Sequence, residues 1–129
     1  MLNFLYRRQR YSIEDISING KRLHAIMADS FIKQMIGLMF RPNLKKDGCM
    51  LFVFNRKARH GIWMRNMRFP IDIMWLDADK KVIHSVESAP PGSARVYMPD
   101  KDSKYVLETN AGFIKRSRIK KGASLIRAL

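Results

Sequence analysis

One carboxylate, Asp72, stands inside the run Ile71-Asp72-Ile73-Met74-Trp75-Leu76, and that run constrains the fold more than any other stretch. Its β-branched and aromatic side chains predict a strand, bounded by Pro70 on one side and Asp77-Ala78-Asp79-Lys80 on the other. Alternation sets Asp72 with Met74 and Leu76, opposite Ile71, Ile73 and Trp75. One face must look inward, and both are mostly apolar. A buried carboxylate without a partner is strongly disfavoured, so Asp72 needs one. The nearest in sequence are Arg65, Arg68, the Asn66 amide and free backbone N–H groups of the corner, so Asp72 is expected to pin the 65–70 corner, with a carboxylate at a cleft mouth the functional alternative. With the short apolar run Ile62 to Met64, the stretch Gly61 to Asp77 reads as a core hairpin around a polar-basic corner.

The rest of the chain is punctuated in the same style. Asn19-Gly20 separates two β-compatible runs, Ile13 to Ile18 and Lys21 to Ala28, and both turn residues suit positive φ. Asp77 to Lys80 closes a second hairpin onto Lys81 to Glu87. Asp29-Ser30 offers cap oxygens to a short helix in which Phe31, Met35 and Leu38 share a face, and Gly37 is placed to end it. Cys49 to Phe54 is continuously apolar and predicts a buried strand, followed by a basic loop from Asn55 to His60. Ser88 to Ser103, with Pro90-Pro91-Gly92 and Pro99, is a long irregular segment, read as a surface loop without a ligand role or, alternatively, as a lid over the corner. Tyr105 to Thr109 reads as a strand, Asn110 to Ser117 as a short helix and Ala123 to Ile126 as a closing strand. The fold class is α+β, mainly β. Residues 1–11 read as a basic arm and 12–129 as a single domain.

Charge is the other strong feature: 25 Lys+Arg stand against 11 Asp+Glu, a net +14. This favours phosphate groups and anionic surfaces. The cations are spread over Arg7, Arg8, Arg10, Lys45, Lys46, Arg56 to Arg59, Arg65, Arg68 and Lys115 to Lys121, so weak, non-specific nucleic-acid binding is the expected consequence. One cysteine, Cys49, excludes an internal disulfide. The N-terminal run lacks the order of a signal peptide and no apolar run is long enough to cross a membrane, so the expected location is cytoplasmic.

Nucleotide-binding and hydrolase motifs are absent from the sequence, and neither Cys nor His spacing suggests a metal, so no cofactor is expected. Cys49 with His60 as base is the weakest catalytic option; a buried thiol is the simpler expectation. Trp63 and Trp75 are expected in the core, with partial exposure at a ligand groove the alternative for either. The candidate binding residues are Trp63, Arg65, Asn66, Arg68, Asp72 and Glu108. Arg65 and Arg68 would attract a small anionic ligand, Asp72 would orient one of them, and Trp63 would wall the site. This describes a non-catalytic binding module. The rivals are nucleic-acid binding through a basic face and a carboxylate-dependent hydrolase using Asp72, Asp77 or Glu108.

The blocks Gly37 to Arg41 (GLMFR), Gly48 to Phe54, Trp63 to Met67, Phe69 to Asp77, Ala89 to Gly92 and Tyr105 to Phe113 together resemble the DUF192 family of small prokaryotic domains. The resemblance runs in register from about Arg22 to the C-terminus and leaves out the basic arm. It implies a barrel-like antiparallel or mixed sheet with one or two short helices, and no catalytic assignment. Met67 stands where many relatives carry Thr, which weakens a hydroxyl-based role for the corner. The segment Ser93 to Asp102 has no cysteine, where many relatives have a longer and sometimes cysteine-bearing loop. That makes a redox or metal role for it doubtful.

Overall fold

The two predicted turns set the register of the sheet. In the computed structural model, which describes residues 2–127, Asn19 and Gly20 take φ of 51° and 77°. They join β1 (Ile13–Ile18) to β2 (Lys21–Ala28), with Ile18 opposite Lys21. Positive φ at both central residues matches the twist of the flanking strands. At the second turn the Asp77 carboxylate accepts from the backbone N–H of Asp79 at 2.9 Å and of Lys81 at 3.0 Å. That turn joins β5 (Ile71–Leu76) to β6 (Val82–Ala89).

Between β2 and β3 (Gly48–Ala58) the chain crosses over through α2 (Phe31–Ile36), so these two strands run parallel. The Ser30 hydroxyl caps α2 by accepting from Lys33 N–H, and Gly37 at φ 54° ends it. The shared face expected for Phe31, Met35 and Leu38 does not form. Phe31 is 78% exposed, whereas Ile36 and Leu38 are buried. Gly37 stops the helix, so Leu38 reaches the core from a turn and not from a helical face.

The remaining strands are β4 (Ile62–Trp63), β7 (Val96–Tyr97), β8 (Ser103–Asn110) and β9 (Leu125–Arg127). The main sheet has seven strands in the order β6-β5-β8-β3-β2-β1-β9, and β4 with β7 forms a separate pair. The sheet is mixed and curls into a half-barrel. Its outermost strands approach each other, and Lys81 bridges Ser124 with Val82 N–H donating to the Ala123 carbonyl at 2.9 Å. Two short helices complete the described residues, α1 (Leu2–Arg8) and α3 (Phe113–Arg116). The expected basic arm thus begins with a helical turn or two, and Tyr6 of α1 lies 6.1 Å from the Phe40 ring. β3 is longer than expected: Asn55 to Ala58 continue the strand, and Ala58 pairs with Ser103 past a register shift.

Every position of β5 is buried, because both faces of the sheet are covered. Met74 and Leu76 join Ile16, Ile18, Leu51, Leu107, Phe113 and Ile114 on one face. Ile71, Ile73 and Trp75 join Leu38, Phe52, Met64, Met67 and Val106 on the other. A strand buried on both sides reads as a continuous apolar run, which is the pattern at 71–76.

Candidate functional site

Asp72 lies on the first of these faces, beside Thr109 of β8. It is fully buried, and its oxygens accept three backbone N–H groups: Ser88 at 2.8 Å, Gly112 at 3.1 Å and Ile114 at 2.9 Å. The Ser88 N–H is free because β6 carries an extra residue there. Ile71 pairs with Ala89 while Ile73 pairs with Val86, and Ser88 takes φ 51°. The other two donors belong to the start of α3, where Gly112 provides no side-chain cap. Asp72 therefore caps a helix across space and pins a bulge. Its expected pairing with Arg65 or Arg68 does not occur, and the corner is not held by it. The amides are separated from Asp72 by 16 to 42 residues of chain, which is why proximity in sequence pointed elsewhere.

Glu108 takes the opposite face, beside Ile73 and Met50. It is 3% exposed, and no hydrogen bond reaches its carboxyl among the described residues. Burial pushes its pKa up to about 8. The carboxyl lies behind Gly37: a Cβ on that glycine would sit 3.8 Å from Glu108 Oε1 and 3.3 Å from the Phe52 ring. Glu108 lines a pocket of about 200 Å³ together with Gly37, Met39, Phe52, Trp63 and Met67.

Trp63 divides from Trp75. Trp75 is fully buried and donates its indole N–H to the His60 carbonyl at 2.7 Å, whereas Trp63 is 38% exposed at the pocket wall. The Arg65 guanidinium lies over the Trp63 ring at 5.5 Å. Arg68 is exposed further along the same corner. Asn66 takes φ 60°, and its carbonyl accepts from Phe40 N–H at 3.1 Å. Its amide points to Met39 Sδ at 3.9 Å, so it ties the corner to the turn after α2. The 88–103 segment folds back on this region. Val96 pairs with Trp63, Gly92 N–H donates to the Met64 carbonyl at 3.0 Å, and Arg59 donates to the Pro99 carbonyl at 3.0 Å.

The structure thus gathers Trp63 and Glu108 in one pocket, sets Arg65 and Asn66 at its edge, and removes Asp72 to the far face. The carboxylates of the hydrolase alternative do not converge either. Asp72 and Glu108 face opposite sides of the sheet, and the Asp77 oxygen is engaged by its own turn. Cys49 is buried, with its thiol pushed up to about 12 by that burial. His60 stacks on Phe54 at 3.6 Å and bonds the Arg56 carbonyl, so the two form no nucleophile–base pair. No group of three or more metal-ligating side chains occurs among the described residues, and no helix there is long and apolar enough to cross a membrane. Sequence reasoning had missed the Gly37–Phe52 wall, although both residues belong to the blocks GLMFR and GCMLFVF.

A curled mixed sheet with a crossover helix defines the class of domain. The chain belongs to the DUF192 family, whose model (Uncharacterized ACR) matches residues 14–126. It is 32% identical over 109 residues to a UPF0127 protein of Pyrococcus furiosus, covering 81% of this chain and 86% of the relative. It is 30% identical over 105 residues to a UPF0127 protein of Thermococcus kodakarensis, covering 80% of this chain and 65% of that relative. A Thermococcus gammatolerans relative is likewise covered over only 63% of its length. Among solved structures, a chain from Sinorhizobium meliloti described as a candidate transcription regulator superposes with a TM-score of 0.88. It is 28% identical, and the match covers 93% of this chain and 97% of that one. A protein of unknown function from Novosphingobium aromaticivorans superposes at 0.85 with 25% identity, covering 92% and 93%.

Proposed function

We propose that the protein is a non-catalytic binding module that takes a small anionic ligand with an apolar body at the Trp63–Glu108 pocket. The observation that carries this reading is the pairing of a buried, unbonded Glu108 carboxyl with a half-open tryptophan at one small cavity. With its pKa near 8, Glu108 is mostly protonated at neutral pH, so it donates a hydrogen bond and does not repel an anion. Arg65 at the Trp63 ring, with Arg68 on the same corner, makes the mouth cationic. Phe52, Met39 and Met67 supply an apolar wall that adapts to shape. The paired segment at Val96 narrows one side.

The test is mass spectrometry of small molecules released from the purified, folded protein. A compound carried by the wild type and lost from Trp63→Ala supports the reading, because Trp63 is exposed enough for its removal to leave the fold intact. Identical profiles, or no bound compound in either, would overturn it.

A second reading is favoured by the net charge of +14 and by the description of the Sinorhizobium neighbour. It is non-specific nucleic-acid binding by scattered Lys and Arg side chains. Its signature is an affinity that falls steeply between two salt concentrations and does not depend on sequence.

A further inference from the structure

A second cavity, unrelated to Glu108, opens where α1 meets the loop that follows α2. Its volume is about 600 Å³, within the usual range for small-molecule sites. Arg41, the last residue of the block GLMFR, lines it. The guanidinium lies over two aromatic rings, 5.5 Å from Tyr6 and 5.1 Å from Tyr11. Two flat faces holding a planar cation fix its orientation and leave its edge as the available donor surface. Arg41 Nε and the Tyr11 hydroxyl are both buried and make no hydrogen bond of good geometry among the described residues, although the guanidinium lies close enough to the hydroxyl to oppose the rise in its pKa that burial imposes. Buried polar atoms left in this state are uncommon, and a missing partner is one cause.

The surroundings name the charge of that partner. Lys45 and Lys46 line the same cavity, and His24 stands at its rim, itself bonded to Asp15 at 2.7 Å. No carboxylate belongs to the lining, and among the described residues none lies within ion-pair distance of Arg41, Lys45 or Lys46. The rest of the lining is mostly apolar, with Asn43 its polar member and Ile26 half-buried. Lys45 and Lys46 are exposed and solvated, so the half-buried Arg41 is the cation of the three that most needs a partner.

We propose that this cavity is an anion site, in which Arg41 grips the carboxylate or phosphate of a ligand whose apolar body rests between the tyrosines and Ile26. The Arg41 edge offers the fork that suits either head group. Lys45 and Lys46 add point charge at the mouth without fixing geometry. α1 contributes Tyr6, so the helix is a wall of the site and not a detached arm. The site stands on its own observations and does not depend on the Trp63 pocket.

Calorimetric titration with three probes that share one body tests it: 2-naphthoate, 2-naphthyl phosphate and neutral 2-naphthamide. At least one anion should bind, and the amide should be weaker by about tenfold or more, the worth of one charge-assisted contact. The better of the two anions identifies the head group. Arg41→Met keeps the stacked stem and should weaken the anions about tenfold while leaving the amide unchanged. Should that variant fail to fold, the exposed pair Lys45→Gln with Lys46→Gln decides in its place, with an expected loss of about threefold or more that shrinks in high salt. Lys120→Gln, exposed and outside both pockets, should change nothing. Equal binding of amide and anions, anion binding indifferent to both the Arg41 and the lysine changes, or no binding at low-millimolar probe would each overturn the proposal.

Discussion

Replacing Glu108 with glutamine should abolish a pH dependence of stability that this one side chain creates. A carboxyl held at about 8 in the folded chain, against 4.5 when unfolded, binds its proton more tightly in the folded state. The sign follows directly. Between those two values the folded protein carries the extra proton, so stability falls as pH rises. The contribution is fully present below 4.5 and lost once pH passes about 8. The gap is about 3.5 pH units at about 1.4 kcal/mol each, or about 5 kcal/mol in all. Glutamine keeps the shape and one oxygen of the protonated acid and cannot ionise. Wild type and Glu108→Gln should therefore be nearly equal in stability near pH 4.5, and the variant should gain steadily until about pH 8. Urea melts of both proteins at unit steps from pH 5 to pH 9 measure the difference, and the titrations common to both cancel. If the two stability curves run parallel, the pocket admits enough water to solvate a charged Glu108, and the reasoning about its protonated state fails.

Asp72→Ala should destabilise by about 3–5 kcal/mol, because three backbone amide donors, that of Ile114 buried, lose their shared acceptor at once. A chemical melt within about 1 kcal/mol of wild type would remove Asp72 as the cap of α3. Cys49 should resist a thiol reagent such as dithionitrobenzoate at pH 8 in the native protein and react fully once unfolded, since its thiol is buried and shifted to about 12. Prompt labelling of the folded chain would show that β3 opens readily.

Local chemistry was legible and long-range chemistry was not. Asn19-Gly20, Asp77 to Lys80, Ser30 and Gly37 act on neighbours two to four residues away, and each adopts the conformation its side chain favours. The apolar run of β5 announced burial, and the need of Asp72 for partners followed from elementary electrostatics. Which partners could not be read, because the donors come from a bulge in β6 and from the start of α3. Those amides become available only when the sheet has formed. The same holds for Glu108, which looks like any polar residue in a strand until α2 and Gly37 are laid over it. Phe31 misled for a different reason: helical spacing assigns faces only when the helix continues, and this one stops after Ile36. At 55–58 polarity suggested a loop, yet a strand whose pairing is interrupted by a register shift can carry basic side chains into solvent. The separation of Trp63 from Trp75 is likewise a matter of tertiary cover.

The contact of Lys81 with Ser124 has a bearing on the order in which the chain can acquire its shape. Strands β5 and β8 are neighbours although an entire excursion of the backbone separates them, and β9 lies beside β1 from the other end of the domain. During synthesis the hairpin of β1 and β2 leaves the ribosome first and waits with an open flank. β9, which covers that flank and meets the start of β6, emerges after every other strand. Most of the pairing is between distant segments, so assembly should be slow for a domain of this size and concentrated after the last strand appears. Until then the β1 flank is exposed to other nascent chains. A protein built this way depends on its final stretch for protection as much as for stability, and removing Leu125 to Arg127 should be felt first as aggregation during expression.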